Sequence, residues 1–287
     1  MSKRILLFVG AHPDDETFGV GGTLAKYALA GVEVYYACAT RGEVGSVDAA
    51  LMEGYENIGD LRWTEMECAS GILGLAGVFH LGYRDSGMEG TEDNNHSEAL
   101  AAAPIEQVAE RIVKIIREVK PQVIVTFDPI GGYRHPDHIA VHNATVMAFH
   151  AADNPAQFPE AGPVYRPQKL YFQVMSRKLL KLVVRALPFF GRDPKRFGRN
   201  KDVDLTALME VEFPVHAKVQ LTKQARELQE KARACHVSQV GGGRPRVSVL
   251  GLVARLAGQR DSYMRAYPKP TNKRMEHDLF EAVDDSI

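Results

Sequence analysis

Apolar and polar positions alternate in blocks along the first half of the chain. Arg4–Val9 is a β-branched and aromatic run closed by Gly10, which predicts a buried strand. Thr17–Ala30 follows with helical spacing and a stop at Gly31. Val32–Ala39 predicts a second strand, Glu56–Leu73 a helix and Val78–Leu81 a short third strand. Behind Pro104, a residue tolerated in a first helical turn, Ile105, Val108, Ile112, Ile115, Ile116 and Val119 form an apolar stripe at 3.6 spacing. Pro121 ends that helix. Gln122–Phe127 is then a near-continuous apolar run of the kind parallel sheets bury on both faces, and Ile139–His150 is helical again.

Strands alternating with helices over 150 residues predict an α/β fold, a Rossmann-like three-layer sandwich with a mostly parallel sheet. The second half is less regular. Leu170–Met175 and Val211–Phe213 read as strands, Ala217–Ala234 as a charged helix, Gly241–Gly243 as a loop and Val249–Met264 as a last helix, before an acidic, frayed end. No linker divides the chain. The expectation is one domain over 1–287, with a catalytic core over 1–155 and a C-terminal elaboration over 156–287.

Composition narrows the class without changing the fold. The 287 residues are 45% hydrophobic and 25% charged with a formal charge of −1, the mix of a globular protein and not of a nucleic-acid binder. No apolar run is long enough to span a bilayer, and the N-terminus lacks a secretory apolar core. Cys38, Cys68 and Cys235 are widely spaced with no CxxC pair. They read as packing thiols of a cytoplasmic protein.

In an open parallel sheet, ligands bind beyond the carboxyl ends of the strands. Two polar clusters fall there: Ala11-His12-Pro13-Asp14-Asp15-Glu16 after the first strand, and Tyr133-Arg134-His135-Pro136-Asp137-His138 after the Gln122–Phe127 strand. Each alone is readable as a turn with a helix cap. Together, two imidazoles and a carboxylate at matching strand ends suit a divalent metal with open positions, the ligands drawn from His12, Asp14 or Asp15, His135 and His138. A remaining carboxylate would take a proton from an activated water, and a His–Asp pair would serve the other side of the reacting carbonyl. Neither G-x-G-x-x-G nor a Walker A sequence is present, which sets nucleotide binding aside.

These motifs resemble those of the LmbE-like, or PIG-L-type, metal-dependent N-deacetylases, which act on N-acetylglucosaminyl-phosphatidylinositol and in mycothiol and bacillithiol metabolism. AHPDDE at Ala11–Glu16 and HPDH at His135–His138 carry the resemblance. It continues through Thr40-Arg41-Gly42-Glu43, Arg62 with Glu65, Gly82–Met88 and Lys231 with His236-x-Ser238-Gln239. The resemblance implies His12, Asp15 and His138 as metal ligands and Asp14 as general base. It further implies His135, as an imidazolium steadied by Asp137, at the oxyanion or leaving amine, and Tyr133 over the substrate carbonyl. Arg62 and Asp85 are implied as contacts to sugar hydroxyls. The implied ion is Zn2+, with Fe2+ or another divalent metal as substitute. The implied reaction removes acetyl from an N-acetylglucosamine-type conjugate, small or lipid-linked. Alternatives are an amidase of thiol conjugates, a non-catalytic glycan or lipid-head-group binder, and an Fe(II) oxygenase.

Two departures stand out. Arg134 replaces a glycine frequent in relatives, and its charge is expected to depress the pKa of His135. Arg166–Lys201 holds eleven Lys/Arg and one acid, Asp193. Within it, Ser176–Leu187 reads as a basic amphipathic helix followed by Pro188-Phe189-Phe190, and the stretch 176–190 is suited to docking on the sheet, to a homo-oligomer contact or to the periphery of an anionic membrane. His142 and Trp63 are expected to pack, and His96 to be solvated.

Overall fold

The computed structural model describes residues 3–174, 177–196, 204–240 and 260–285. In chain order the strands are β1 (Ile5–Gly10), β2 (Glu33–Cys38), β3 (Gly77–His80), β4 (Val123–Phe127), β5 (Lys169–Gln173), β6 (Ala217–Gln220) and β7 (Arg260–Tyr267). The helices are α1 (Asp15–Phe18), α2 (Gly21–Leu29), α3 (Ile58–Leu73), α4 (Ile105–Val119), α5 (Gly131–Arg134), α6 (Pro136–Ala151), α7 (Arg177–Ala186), α8 (Lys223–Arg233) and α9 (Val237–Val240). The strands form a mixed sheet in the order β3-β2-β1-β4-β5-β7-β6. From β3 to β5 all pairings are parallel, whereas β7 is antiparallel to both β5 and β6. This is the expected α/β fold.

Side chains alternate across β1. Leu7 and Val9 join α4 and α6 on one face, while Leu6 and Phe8 join α2, Met66 of α3 and Tyr263 of β7 on the other. A smaller cluster of Ala25, Ala69, Leu73, Ala225 and Ala232 lets α2, α3 and α8 approach closely. Local chemistry marks the helix ends. Asn57 accepts from the Asp60 N–H to start α3, and Thr222 caps α8 at the Ala225 N–H. Lys120, at φ 55°, closes α4 just before Pro121.

Several expectations are corrected. Thr17–Ala30 is broken between α1 and α2 at Gly19-Val20. The helix expected from Ile139 begins at Pro136, so His135–His138 lies on its cap and first turn. Val211–Phe213 makes no ladder, being followed by Pro214. The expected helix Ala217–Ala234 is β6, then a cap, then α8. Of Val249–Met264, the described residues from 260 onward belong to β7, and the loop Gly241–Gly243 lies outside the described residues. The acidic end is not frayed over its described residues: Leu279 and Phe280 are buried, and Arg4 donates to both carboxylate oxygens of Asp285 at 2.9 and 2.7 Å. Cys68 and Cys235 are not separate packing thiols but a disulfide joining α3 to the second residue after α8, and Cys38 is a buried free thiol.

The basic helix α7 docks its apolar side within the chain. Leu180, Val184 and Leu187 pack with Leu205, Leu208 and Ile130, while Lys181 and Arg185 face solvent and Phe189 is 88% exposed. Among the described residues no helix is long and apolar enough to cross a membrane.

Beneath β5 and β7 lies a buried polar knot. Glu276 accepts from Lys169 Nζ at 2.9 Å, the Tyr171 hydroxyl at 2.6 Å and Arg265 at 2.5 Å. Removing the acid strands a buried ammonium, which costs about 3–5 kcal/mol. Glu276→Ala is therefore expected to lower unfolding free energy by that amount in urea titration. A loss below about 1 kcal/mol, the worth of a solvated pair, would mean that water reaches the knot.

Candidate active site

Strands β1 and β4 are neighbours, so the loops leaving their carboxyl ends meet at one edge of the sheet. The first loop carries His12, Asp14 and Asp15. Its backbone is tied down by the Tyr36 hydroxyl, which donates to the His12 carbonyl at 2.6 Å. Asp15 Oδ2 accepts from the N–H groups of Ala11 and His12 at 2.9 and 2.8 Å, which aims the carboxylate inward. The second loop is shaped by Asp128, whose Oδ1 accepts from the N–H groups of Ile130 and Gly132. Gly131 sits there at φ 63°, where a Cβ would lie 2.8 Å from His138 Cβ, so only glycine fits beside that imidazole.

These loops bring both histidine motifs together. His12 Nδ1 and His138 Nε2 are 3.2 Å apart, and Asp15 carboxylate oxygens lie 3.9 Å from the first and 3.5 Å from the second. Ring nitrogens of His12, His135 and His138 all fall within 4.8 Å of one another. His138 stacks on Phe127, with ring centroids 3.9 Å apart, and its orientation is thereby set. Imidazole nitrogens and a carboxylate converging in a buried pocket are a donor set that can hold a divalent ion.

Around this group the carboxylates are distributed differently from expectation. Asp137 does not hold the His135 ring through its carboxylate. Its Oδ2 lies 3.1 Å from His12 Nε2 and accepts from the Ser86 N–H at 2.9 Å, leaving His12 Nδ1 turned toward His138 and Asp15. The link to His135 is the Asp137 N–H, which donates to His135 Nδ1 as the cap of α6. A neutral His135 then carries its proton on Nε2. Arg134 is exposed and is not what depresses His135. Burial does that first, followed by the charges of His12 and His138, so the expected imidazolium is disfavoured.

Asp14 sits at φ 140°, a left-handed conformation costly for a residue with a side chain. Its Oδ2 accepts from Arg62 at 3.1 Å. Burial raises its carboxyl to about 6 against the pull of Arg62. Arg62, on α3, also donates to the Pro13 and Gly42 carbonyls at 3.0 Å, so it is pinned on three sides. Gly42 is obligatory in this arrangement, since at φ 70° a Cβ would overlap the Arg62 guanidinium. Asp85 accepts from the Gly87 and Val44 N–H groups, and His12 Nε2 at 3.5 Å holds it well below the usual carboxylate range despite burial. In return, the Asp85 and Asp137 carboxylates outweigh burial and raise His12. Tyr133 lies with its ring 5.0 Å from His138 and 5.8 Å from His135, 36% exposed at the mouth.

Thus His12, Asp14, Asp15, Arg62, Asp85, Tyr133, His135, Asp137 and His138 lie in or against one cluster, and Arg134 does not. His142 packs, its Nδ1 2.9 Å from the Phe127 carbonyl, and His96 is exposed. Trp63 is only partly buried, against His80 and Arg41. Missed was the role of Glu16, which binds His236 at 2.7 Å, and of Glu65, which binds Ser238. The only signal for these was the acid in the first motif and the His-x-Ser segment, which no local spacing connects.

Fold and site together define a protein with a buried, metal-compatible His/Asp centre at the strand ends of an α/β sheet. Residues 7–149 match the family model PIG-L, GlcNAc-PI de-N-acetylase. A 1D-myo-inositol 2-acetamido-2-deoxy-alpha-D-glucopyranoside deacetylase from Rhodococcus erythropolis is 36% identical over 253 residues, covering 83% of this chain and 82% of that one. Among solved structures, N,N'-diacetylchitobiose deacetylase from Pyrococcus horikoshii superposes with a TM-score of 0.63 at 19% identity, over 94% of this chain and 88% of that one. The 4-carboxy-2-hydroxymuconate hydratase GalB of Pseudomonas putida does so at 0.57 and 18%, over 94% and 98%. These structural likenesses show the fold alone, and the fold carries more than one reaction. The chain belongs to the PIG-L, or LmbE-like, family, and it is an enzyme of the deacetylase type.

Proposed function

We propose that the protein is a zinc-dependent deacetylase of N-acetylglucosamine conjugates, with a GlcNAc-inositol-type compound as the favoured substrate. The observation that carries this reading is the convergence of His12 Nδ1, His138 Nε2 and the Asp15 carboxylate beside a separate, Arg62-bound Asp14. The sequence relative that acts on an inositol glycoside of 2-acetamido-2-deoxyglucose supports the substrate class.

His12, Asp15 and His138 would hold the ion, which when bound supplies Lewis acidity toward the acetyl carbonyl and a water acidified to near neutrality. Asp137 orients His12 through its far nitrogen, as outer carboxylates commonly do for ligating histidines. Asp14 accepts the proton of the attacking water, and Arg62 keeps its carboxylate aimed. His135, neutral with its proton on Nε2, donates toward the oxygen that gains charge as the amide carbon becomes tetrahedral. Asp14 then returns its proton to the departing amine. Tyr133 at the mouth excludes water from the carbonyl side, and Arg62 and Asp85 border the region where sugar hydroxyls lie. An amidase of larger thiol conjugates would use the same groups and differ only in what the mouth accepts.

The test is amine release from free N-acetylglucosamine, GlcNAc-inositol and a lipid-linked GlcNAc, with metal stripped by chelator and restored as zinc. Release is expected to vanish on stripping and to return with about one zinc per chain. Full activity after complete chelation would overturn the reading, and zinc-dependent release confined to other amides would redirect it to another substrate.

A further inference from the structure

Three buried ionisable groups lie beside the cluster without a part in the chemistry just described: Glu16, Glu65 and His236. Glu16 and His236 are fully buried and far apart in sequence. Glu16 Oε1 meets His236 Nε2 at 2.7 Å and accepts from the Thr17 hydroxyl, also at 2.7 Å. Its other oxygen accepts from the backbone N–H of Asp14 at 2.9 Å. That hydrogen bond falls on the residue whose φ of 140° is unfavourable for a side-chain-bearing residue and must be held by its surroundings. Two residues on from His236, Ser238 donates to Glu65 through its N–H at 2.7 Å and its hydroxyl at 2.5 Å. Glu65 lies one turn beyond Arg62 on α3, and Cys235 bonds Cys68 on the same helix.

Asp14 is therefore gripped twice, by Arg62 at its carboxylate and by Glu16 at its backbone; the second grip rests on His236, and the helix that carries Arg62 is tied to the same short segment through Glu65 and Cys68. We propose that residues 235–238 are a positioning element for the base, in which His236 acts through Glu16 to hold Asp14 in its strained, productive conformation. This rests on the reading of Asp14 as general base. His236 is a positioning residue: its ring lies against Glu16 and Phe18 and acts on Asp14 through Glu16. A side chain that cannot donate at Nε2 leaves the Glu16 carboxylate free to turn, and Asp14 relaxes toward an ordinary φ. Misplacing a reacting group by about 1 Å costs on the order of 10²-fold in rate.

The experiment uses the full-length, zinc-loaded enzyme with GlcNAc-inositol as probe. His236→Leu is expected to lower kcat about 10–100-fold, as loss of an outer partner does, with KM and zinc content unchanged. His236→Gln, which places an amide N–H near the same spot, recovers most of the loss. In an Asp14→Asn background His236→Leu costs nothing further, since the two act as a unit. Exchange of the Asp14 amide, followed in peptides covering residues 11–18, speeds up in His236→Leu and not in His236→Gln. An equal loss in both backgrounds, no recovery with glutamine, or unchanged Asp14 amide exchange overturns the proposal. If His236→Leu does not fold, Ser238→Ala loosens the same segment at Glu65 and is read by the same measurements. An inactive wild-type enzyme would defeat the substrate reading while the amide exchange still decides the positioning role.

Discussion

Asp14→Asn is expected to keep the metal content and unfolding temperature of the wild type but to lose turnover on the order of 10²–10⁴-fold, the usual worth of a positioned base. An asparagine oxygen can still accept from Arg62, and the proposed ligands His12, His138 and Asp15 are left unchanged. What disappears is a carboxylate able to take a proton. The pH profile follows from the same group. Burial lifts the Asp14 carboxyl to about 6 in the metal-free site, and a dication nearby pulls it down. If Asp14 is the base as proposed, its ionised form is the active one, and kcat/KM should fall as pH drops through an acid limb at or below about 6. That limb should be missing from the residual activity of Asp14→Asn. An asparagine variant with more than about a tenth of wild-type activity would remove Asp14 as the base, for it could not then supply the smallest expected factor.

His138→Ala should go further and lose both metal and turnover. Its Nε2 faces His12 Nδ1 at 3.2 Å and Asp15 at 3.5 Å from the first turn of α6. Loss of an outer partner weakens metal binding about 10–100-fold, and loss of a ligand itself should exceed that. The decisive measurement is the shift of unfolding temperature on adding zinc to stripped protein. Ligand at a thousandfold excess over Kd stabilises a fold by about 4 kcal/mol, so the wild type shifts clearly and the variant does not. A zinc-induced shift equal in both proteins would mean that the ion sits elsewhere, with His135 as the replacement to examine first.

How much of this could be read from the chain depends on the physics of each part. The strands β1, β2 and β4 are buried on both faces, so they stand out as apolar runs with nothing to disguise them. The two motifs follow β1 and β4, and adjacency of those strands is what the alternation of elements implies. The second half lacks such signals. In β6 burial alternates, so Lys218 and Gln220 face outward and the segment merges with the charged helix behind it. β7 is an interior strand with only one deeply buried residue, Tyr263. Its Asp261, Arg260 and Arg265 bond sideways to Thr23, Gln220 and Glu276, and such partners are invisible to periodicity. Within the site, candidate ligand types can be read from the motifs because metal chemistry restricts them. The partner of each carboxylate was not: Asp137 serves His12 and not the ring beside it, and Glu16 finds its partner 220 residues away.

The strand order has a bearing on modularity. Residues 7–149 contain both histidine motifs and the whole family match, yet their last strand is β4, whose five residues are all buried and whose outer edge is covered by β5. A segment cut there would present an unpaired apolar edge, the structure from which strand-to-strand aggregation starts. It would also part Glu16 from His236. The unit that can be exchanged between relatives is thus set by hydrogen-bond closure and not by motif content. A crossover placed after α6 breaks that closure, and one placed just beyond β7 still parts Glu276 from Lys169, Tyr171 and Arg265.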